Sequence, residues 1–219
     1  MKHLFCIAII AAALVACQGD DYEEGNGEHS LMQADMAELH VNAHKRVDSF
    51  TTDDGNVFRL ATPATASWIA KADTTYHAIV SFNRLGNGLA SVLQLTDVPA
   101  LRPVAHWKFK KQPQDPVGIE SAWISASRRY INLALLLKTG QQMGSDGIHS
   151  IGLAQDTVLV NVDSTRTAYY RLLHDQGDIP QYYTSRSYAS IVLPDTPPDT
   201  VRLTITTFDG DVERTFCVK

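Results

Sequence analysis

From residue 46 to the C-terminus the chain is cut into short apolar segments of period two, each closed by turn residues, with no sustained helical period. Successive side chains of a strand point to opposite faces, so this pattern builds sheets with a buried face. It restricts the chain to an all-β class. Segments 47–51 and 57–61 flank Asp53-Asp54-Gly55-Asn56, a hairpin turn in which Gly55 and Asn56 tolerate positive φ. A second hairpin joins 76–82 to 89–95 through Gly86-Asn87-Gly88, and its alternation places Tyr76, Ala78, Val80 and Phe82 on one face. Such a meander covers its edges by curling into a small barrel. Residues 31–44 fit either a short helix or a lead-in to the first strand.

Segment 108–116 combines Lys108, Lys110 and Lys111 with two prolines and two glutamines. Its low apolar content reads as a linker and places a domain boundary near 112–117. Beyond it, segments 117–124, 130–138, 148–155, 167–173, 181–193, 200–208 and 212–218 repeat the strand pattern; Ile131, Leu133, Leu135 and Leu137 alternate within the second. Seven strands at this spacing predict a β-sandwich. Cys217, in the last of them, reads as a half-buried structural thiol.

The N-terminus is of another kind. Lys2 and His3 precede an apolar stretch over 4–15, and Leu14-Val15-Ala16 leads into Cys17. The stretch is shorter than the roughly 20 residues that a spanning helix requires. Small residues ahead of a cysteine suit a lipoprotein signal peptide over 1–16, after which the Cys17 thiol carries lipid, including a palmitate-type chain. The following segment is polar and acidic, with Asp20, Asp21, Glu23 and Glu24, and cannot bury enough apolar surface to offset its ordering entropy. It is expected to be a flexible tether over 17–36. Its carboxylates, so close to the lipid, resemble the surface-export signals of lipoproteins from anaerobic Gram-negative bacteria. The expected location is the outer membrane, facing the cell exterior, with a periplasm-facing anchor as the alternative.

The formal net charge is -5, and loss of Lys2 with the leader makes it more negative. Without a basic groove and interleaved aromatics, nucleic acid is not an expected partner. Of three cysteines, Cys6 leaves with the leader and Cys17 is acylated. Cys217 is then a lone thiol, and packing alone holds the chain together.

Five tyrosines, Tyr169, Tyr170, Tyr182, Tyr183 and Tyr188, flank the 174–180 turn. Neighbouring tyrosines face opposite ways, so one of each pair is expected in the core and the other outward. Tyr182, Tyr183 and Tyr188 with Arg186 form the candidate binding surface, for a glycan or protein; Arg171 is a further candidate neighbour. His174, Asp175 and Asp178 supply too few oxygens for calcium and read as a turn. His40 and His44, four apart, lack a third ligand for zinc. No metal, cofactor or catalytic residue is expected, since neither a nucleophile elbow nor a phosphate loop occurs.

Leu172-Leu173-His174-Asp175-Gln176, Tyr182-Tyr183-Thr184, Tyr188-Ala189-Ser190-Ile191, Asp199-Thr200-Val201-Arg202-Leu203 and Thr206-Thr207-Phe208-Asp209-Gly210 resemble the C-terminal half of the NigD-like lipoproteins. The resemblance implies an N-terminal OB-like barrel over 37–112 and a C-terminal β-sandwich over 117–219. It implies no activity. The expectation is a non-enzymatic, lipid-anchored binding or accessory protein, with bacteriocin immunity as the alternative and an unrecognised hydrolase as the lesser one.

Overall fold

The computed structural model describes residues 31–141 and 147–219, and Gln33–Lys219 form one compact unit. The leader, Cys17 and the acidic residues Asp20, Asp21, Glu23 and Glu24 lie outside the described residues. Among those described, no helix is long and apolar enough to cross a membrane.

Five strands, β1 (Gln33–Val41), β2 (Val47–Thr52), β3 (Val57–Ala64), β4 (Thr74–Gly86) and β5 (Leu89–Asp97), close into a barrel in the order β1-β2-β3-β5-β4. This is the OB-like barrel expected. β3 and β5 run parallel, while the 13-residue β4 pairs antiparallel with β1 on one side and β5 on the other, which closes the cylinder. Phe50, Phe58 and Phe82 fill it, with ring centroids 4.9 to 5.2 Å apart, among Ala37, Leu39, Val47 and Val80. Buried rings of this size contribute about 1.5–3 kcal/mol each by desolvation alone. The β4–β5 turn forms at Gly86-Asn87-Gly88, all three at positive φ. At the β2–β3 turn Gly55 takes the positive φ; Asn56 does not, and its Nδ2 donates instead to Asp54 Oδ2 at 2.7 Å.

The choice between helix and strand for 31–44 falls to the strand. β1 also corrects the tether, expected to run to residue 36: the strand starts at Gln33, and Met36 is already buried. Two neighbouring strands supply hydrogen bonds along β1, which offsets its ordering despite weak apolar content at the start.

The remaining strands form two sheets. One has five strands in the order β14-β13-β11-β10-β7 (Gly210–Cys217, Thr200–Thr207, Arg166–Asp175, Ser150–Val160, Val104–Ala105). The other has four, β6-β12-β9-β8 (Ala100–Leu101, Tyr183–Val192, Tyr130–Thr139, Gly118–Ile124). Their common core sets Ile131, Leu133, Leu135, Ala189 and Ile191 with Leu153, Tyr170, Val201, Leu203 and Ile205, the sandwich that the spacing predicts.

The boundary expected near 112–117 does not follow the sheets. β6 and β7 pair in parallel with β12 and β10, so the chain has joined the C-terminal sheets by Ala100. Nor is 113–117 a loose linker: His174 N–H donates to Pro113 O, Asp115 N–H to His174 O and Val117 N–H to Thr206 O. Polar composition misled here, because an extended polar segment satisfies its backbone on a neighbouring strand as readily as in water.

Cys217 is exposed, not half-buried. Phe216 and Val218 take the inward positions, and strand parity turns the thiol outward. The folded protein is therefore expected to react with a thiol-specific disulfide reagent at one equivalent without denaturant. Reaction only after unfolding would contradict this placement.

Candidate functional site

The inward row of β9 leaves Tyr130, Asn132 and Ala134 on the outer face of the four-stranded sheet. Asn132 and Ser190 are nonetheless fully buried, because the barrel covers them. Four polar side chains and a tryptophan join the two parts there. The Asp53 carboxylate, at the end of the β2 strand, accepts the Trp123 indole N–H at 2.9 Å and an Asn132 amide N–H. Its other oxygen lies 3.3 Å from His77 Nε2. His77 Nδ1 lies 3.0 Å from Ser190 Oγ, which donates to Asn132 Oδ1 at 2.7 Å. The His77 ring stacks on Tyr130 with centroids 4.0 Å apart and planes 12° from parallel. Ala126 N–H donates to Asp53 O at 2.7 Å, and Arg129 Nη1 reaches the buried Glu38 carboxylate at 2.6 Å.

Ser190, His77 and Asp53 follow one another like a nucleophile, base and orienting acid. Their environment assigns another role. Ser190 is wholly enclosed and its hydroxyl proton is committed to Asn132, so no substrate carbonyl can approach Oγ. The trio is a pin that fixes the barrel on the sheet.

Beside the pin opens a cleft of about 520 Å³. The barrel contributes Asp35, Met36, Asp54 and Ile79, the sheet contributes Trp123 and Tyr188, and Asp53 lies at the seam. No lysine, arginine or histidine lines it. Burial, reinforced by the Asp54 charge, pushes the Asp35 carboxyl above the usual carboxylate range. Asp54 moves the opposite way, because the Thr52 hydroxyl donates to it, with the Asn56 backbone N–H adding to the effect. The cleft thus sets three carboxylates, whose charge Arg84 behind the lining offsets in part, against an indole, a phenol, a thioether and an isoleucine. That combination suits a cation on an apolar stem: carboxylates attract the charge, aromatic faces add cation–π attraction, and the rest desolvates the stem.

The expected binding surface is divided. Tyr188 lines the cleft, and Arg186, two residues away on the same face, pairs with Glu120 at 2.5 Å. Tyr182 and Tyr183 are both exposed and lie towards the other end of β12, where Tyr183 pairs with Thr139. The rule of one inward and one outward tyrosine fails for them, since Tyr182 precedes the strand and packs against Gly140 in the loop. It holds on β11, where Tyr170 is buried and Tyr169 lies under Arg202. β11 belongs to the five-stranded sheet, so Tyr169, Tyr170 and Arg171 do not join the β12 tyrosines; Arg171 pairs with Asp156 at 2.6 Å.

The histidine candidates separate as well. His174 is a buried strand residue, its Nδ1 3.0 Å from Asp115 O and its Nε2 3.0 Å from His149 Nδ1. Burial and the His174 neighbour hold His149 below the usual imidazole range. Asp175 accepts the Gly177 N–H, a turn contact. His40 is on β1 beside Thr51, and His44 is in the following turn. Among the described residues no group of three or more His, Cys, Asp or Glu is placed to hold a metal ion.

Asp35, Asp53, Asp54, Trp123 and His77 were not legible as a site. The available signal was Asn132, a lone amide in an apolar strand, which marks an outward face that something must cover.

No family model and no curated protein sequence matches the chain. Solved structures do. A NigD-like immunity protein from Bacteroides caccae superposes with a TM-score of 0.63 at 19% identity, covering 83% of this chain and 91% of that one. A protein described as toxin-related from Parabacteroides distasonis gives 0.62 at 20% identity, covering 84% and 92%. A protein described as a lipoprotein from Bacteroides fragilis gives 0.58 at 12%, covering 84% and 96%. At these identities the likeness is one of fold, and the fold of this chain is that of the NigD-like immunity protein and its structural neighbours.

Proposed function

We propose that the chain is a non-enzymatic NigD-like lipoprotein, held in the outer membrane by lipid on Cys17 and displayed outward on its acidic tether, which binds a basic group of a peptide or protein in the cleft beside the pin. The observation that supports binding is the cleft itself, with three carboxylates, two aromatic walls and no lining cation. The shared fold with a described immunity protein favours a second reading, protection against a bacteriocin. For that reading, deletion of the gene is expected to sensitise cells to a toxin encoded nearby, and unchanged killing curves count against it.

The cleft is tested with a lysine-rich amphipathic peptide and its glutamate-for-lysine counterpart, by calorimetry on the mature chain. Saturable binding of the first alone is expected, and Asp35→Asn is expected to weaken it by about tenfold, the worth of one charge-assisted contact. The same variant is expected to raise the melting temperature at neutral pH. Folding raises the Asp35 pKa, so the folded chain holds that proton more tightly than the unfolded chain. The penalty is absent below the ordinary carboxylate value and complete above the folded one, and stability falls as pH rises between them. Asn removes the penalty, so the gain should vanish near pH 3. Equal binding of both peptides, or binding unaffected by Asp35→Asn, defeats the assignment of this cleft.

A further inference from the structure

The other end of the pin borders a surface of opposite character. His77 and Tyr130 lead into a polar groove of about 930 Å³ that carries Arg102, Arg128 and Arg129, with an adjoining recess of about 320 Å³ that adds Lys71. The two share Thr74, Thr75 and Arg102, so they form one continuous trough. Two carboxylates, Asp97 and Asp195, face these four cations. Arg129 is held by Glu38 but keeps a side chain 57% exposed. Arg102 is exposed and makes no ion pair or hydrogen bond among the described residues. Arg128 stands at φ +55, a conformation that glycine or asparagine adopts at less cost, and its Nη1 bonds Val218 O at 3.1 Å. On a chain of net charge -5, this concentration of guanidinium groups is local.

We propose that this trough binds an anionic polysaccharide, with carboxylate or sulfate groups on Arg102, Arg128 and Arg129 and sugar hydroxyls on Thr74 and Thr75. Guanidinium forks match planar carboxylates and sulfate edges with paired hydrogen bonds. With volumes of about 930 and 320 Å³ in its two parts, the trough has room for more than a single small ion and suits consecutive sugar units. Of its two tyrosines, Tyr130 is buried with one side of its ring covered by His77, and the half-buried Tyr76 packs edge-on with Trp68 and has its hydroxyl held by the Ala70 and Lys71 N–H groups. Neither offers a free stacking platform, which disfavours single-stranded nucleic acid. The site is independent of the acidic cleft, which takes the opposite charge.

Affinity electrophoresis of the mature chain through gels containing polygalacturonate, heparin or neutral dextran tests the proposal. Retardation is expected in the two anionic gels and not in dextran, and it should weaken with added salt. Arg102→Ala removes no bond of the fold, and it is expected to lower affinity by about tenfold with an unchanged melting temperature. Arg128→Gly suits the positive φ but gives up the bond to Val218 O, so it should lower affinity to a similar degree with a small shift in melting temperature. Arg202→Ala, in the other sheet, should change nothing. Equal loss with Arg202→Ala, equal retardation in dextran, or a DNA oligomer binding as tightly as the glycans would each overturn it.

Discussion

Asp53→Ala is expected to lower stability by about 3 kcal/mol, because it orphans several buried partners at once rather than deleting one contact. The carboxylate receives the Trp123 and Asn132 N–H groups and faces His77; Trp123 borders the cleft, but the buried Asn132 and His77 cannot turn to water while the barrel covers the sheet. For a chain of this size that corresponds to a fall in melting temperature of roughly 6–12 °C. The neighbouring Asp54→Ala removes an exposed turn contact and is expected to cost about 1 kcal/mol or less. The pair of variants separates the pin from general loss of charge. Calorimetry on both decides: similar small shifts would mean that the barrel rests on the sheet without help from the pin. A loosened barrel would also wet the Trp123 indole and move its emission to longer wavelength.

Cys17→Ala is expected to release the protein from membranes almost completely. A single acyl chain gives marginal binding and stable attachment takes more than one, so on the proposed acylation of Cys17 this substitution is expected to remove the anchor as a whole. No helix among the described residues replaces it. Fractionation of cells carrying the variant should move the protein from the membrane pellet to the released fraction. Retention after a salt wash would show an attachment other than lipid. Neutralising Asp20, Asp21, Glu23 and Glu24 should keep the anchor but protect the protein from protease added to intact cells, which tests outward display separately from attachment.

Period-two alternation by itself determines the strands of this fold and the face each one buries. Phe82 and Val80 face the barrel core, and Leu133 and Leu135 face the sandwich core, because strand geometry alone sorts odd from even positions. The turns at Gly55 and Gly86-Asn87-Gly88 were legible for a similar reason, since positive φ selects few residue types. These are local rules, and local sequence suffices for them.

The cleft and the trough depend on which outer face the barrel covers, and no local rule encodes that. The pairing of β1 and β2 sets Asp35 beside Asp53 within the barrel, and Trp123 on β8 joins them only when the barrel docks. The same docking buries Ser190 and Asn132, whose strand positions face away from the sandwich core. Sheet membership also separated Tyr169 and Tyr170 from Tyr182, Tyr183 and Tyr188, although a short turn joins them. Alternation specifies which face of a strand is apolar, but the partner of each face is chosen by long-range packing. Sequence therefore determined strands and turns, and tertiary structure alone decided where charge of each sign collects.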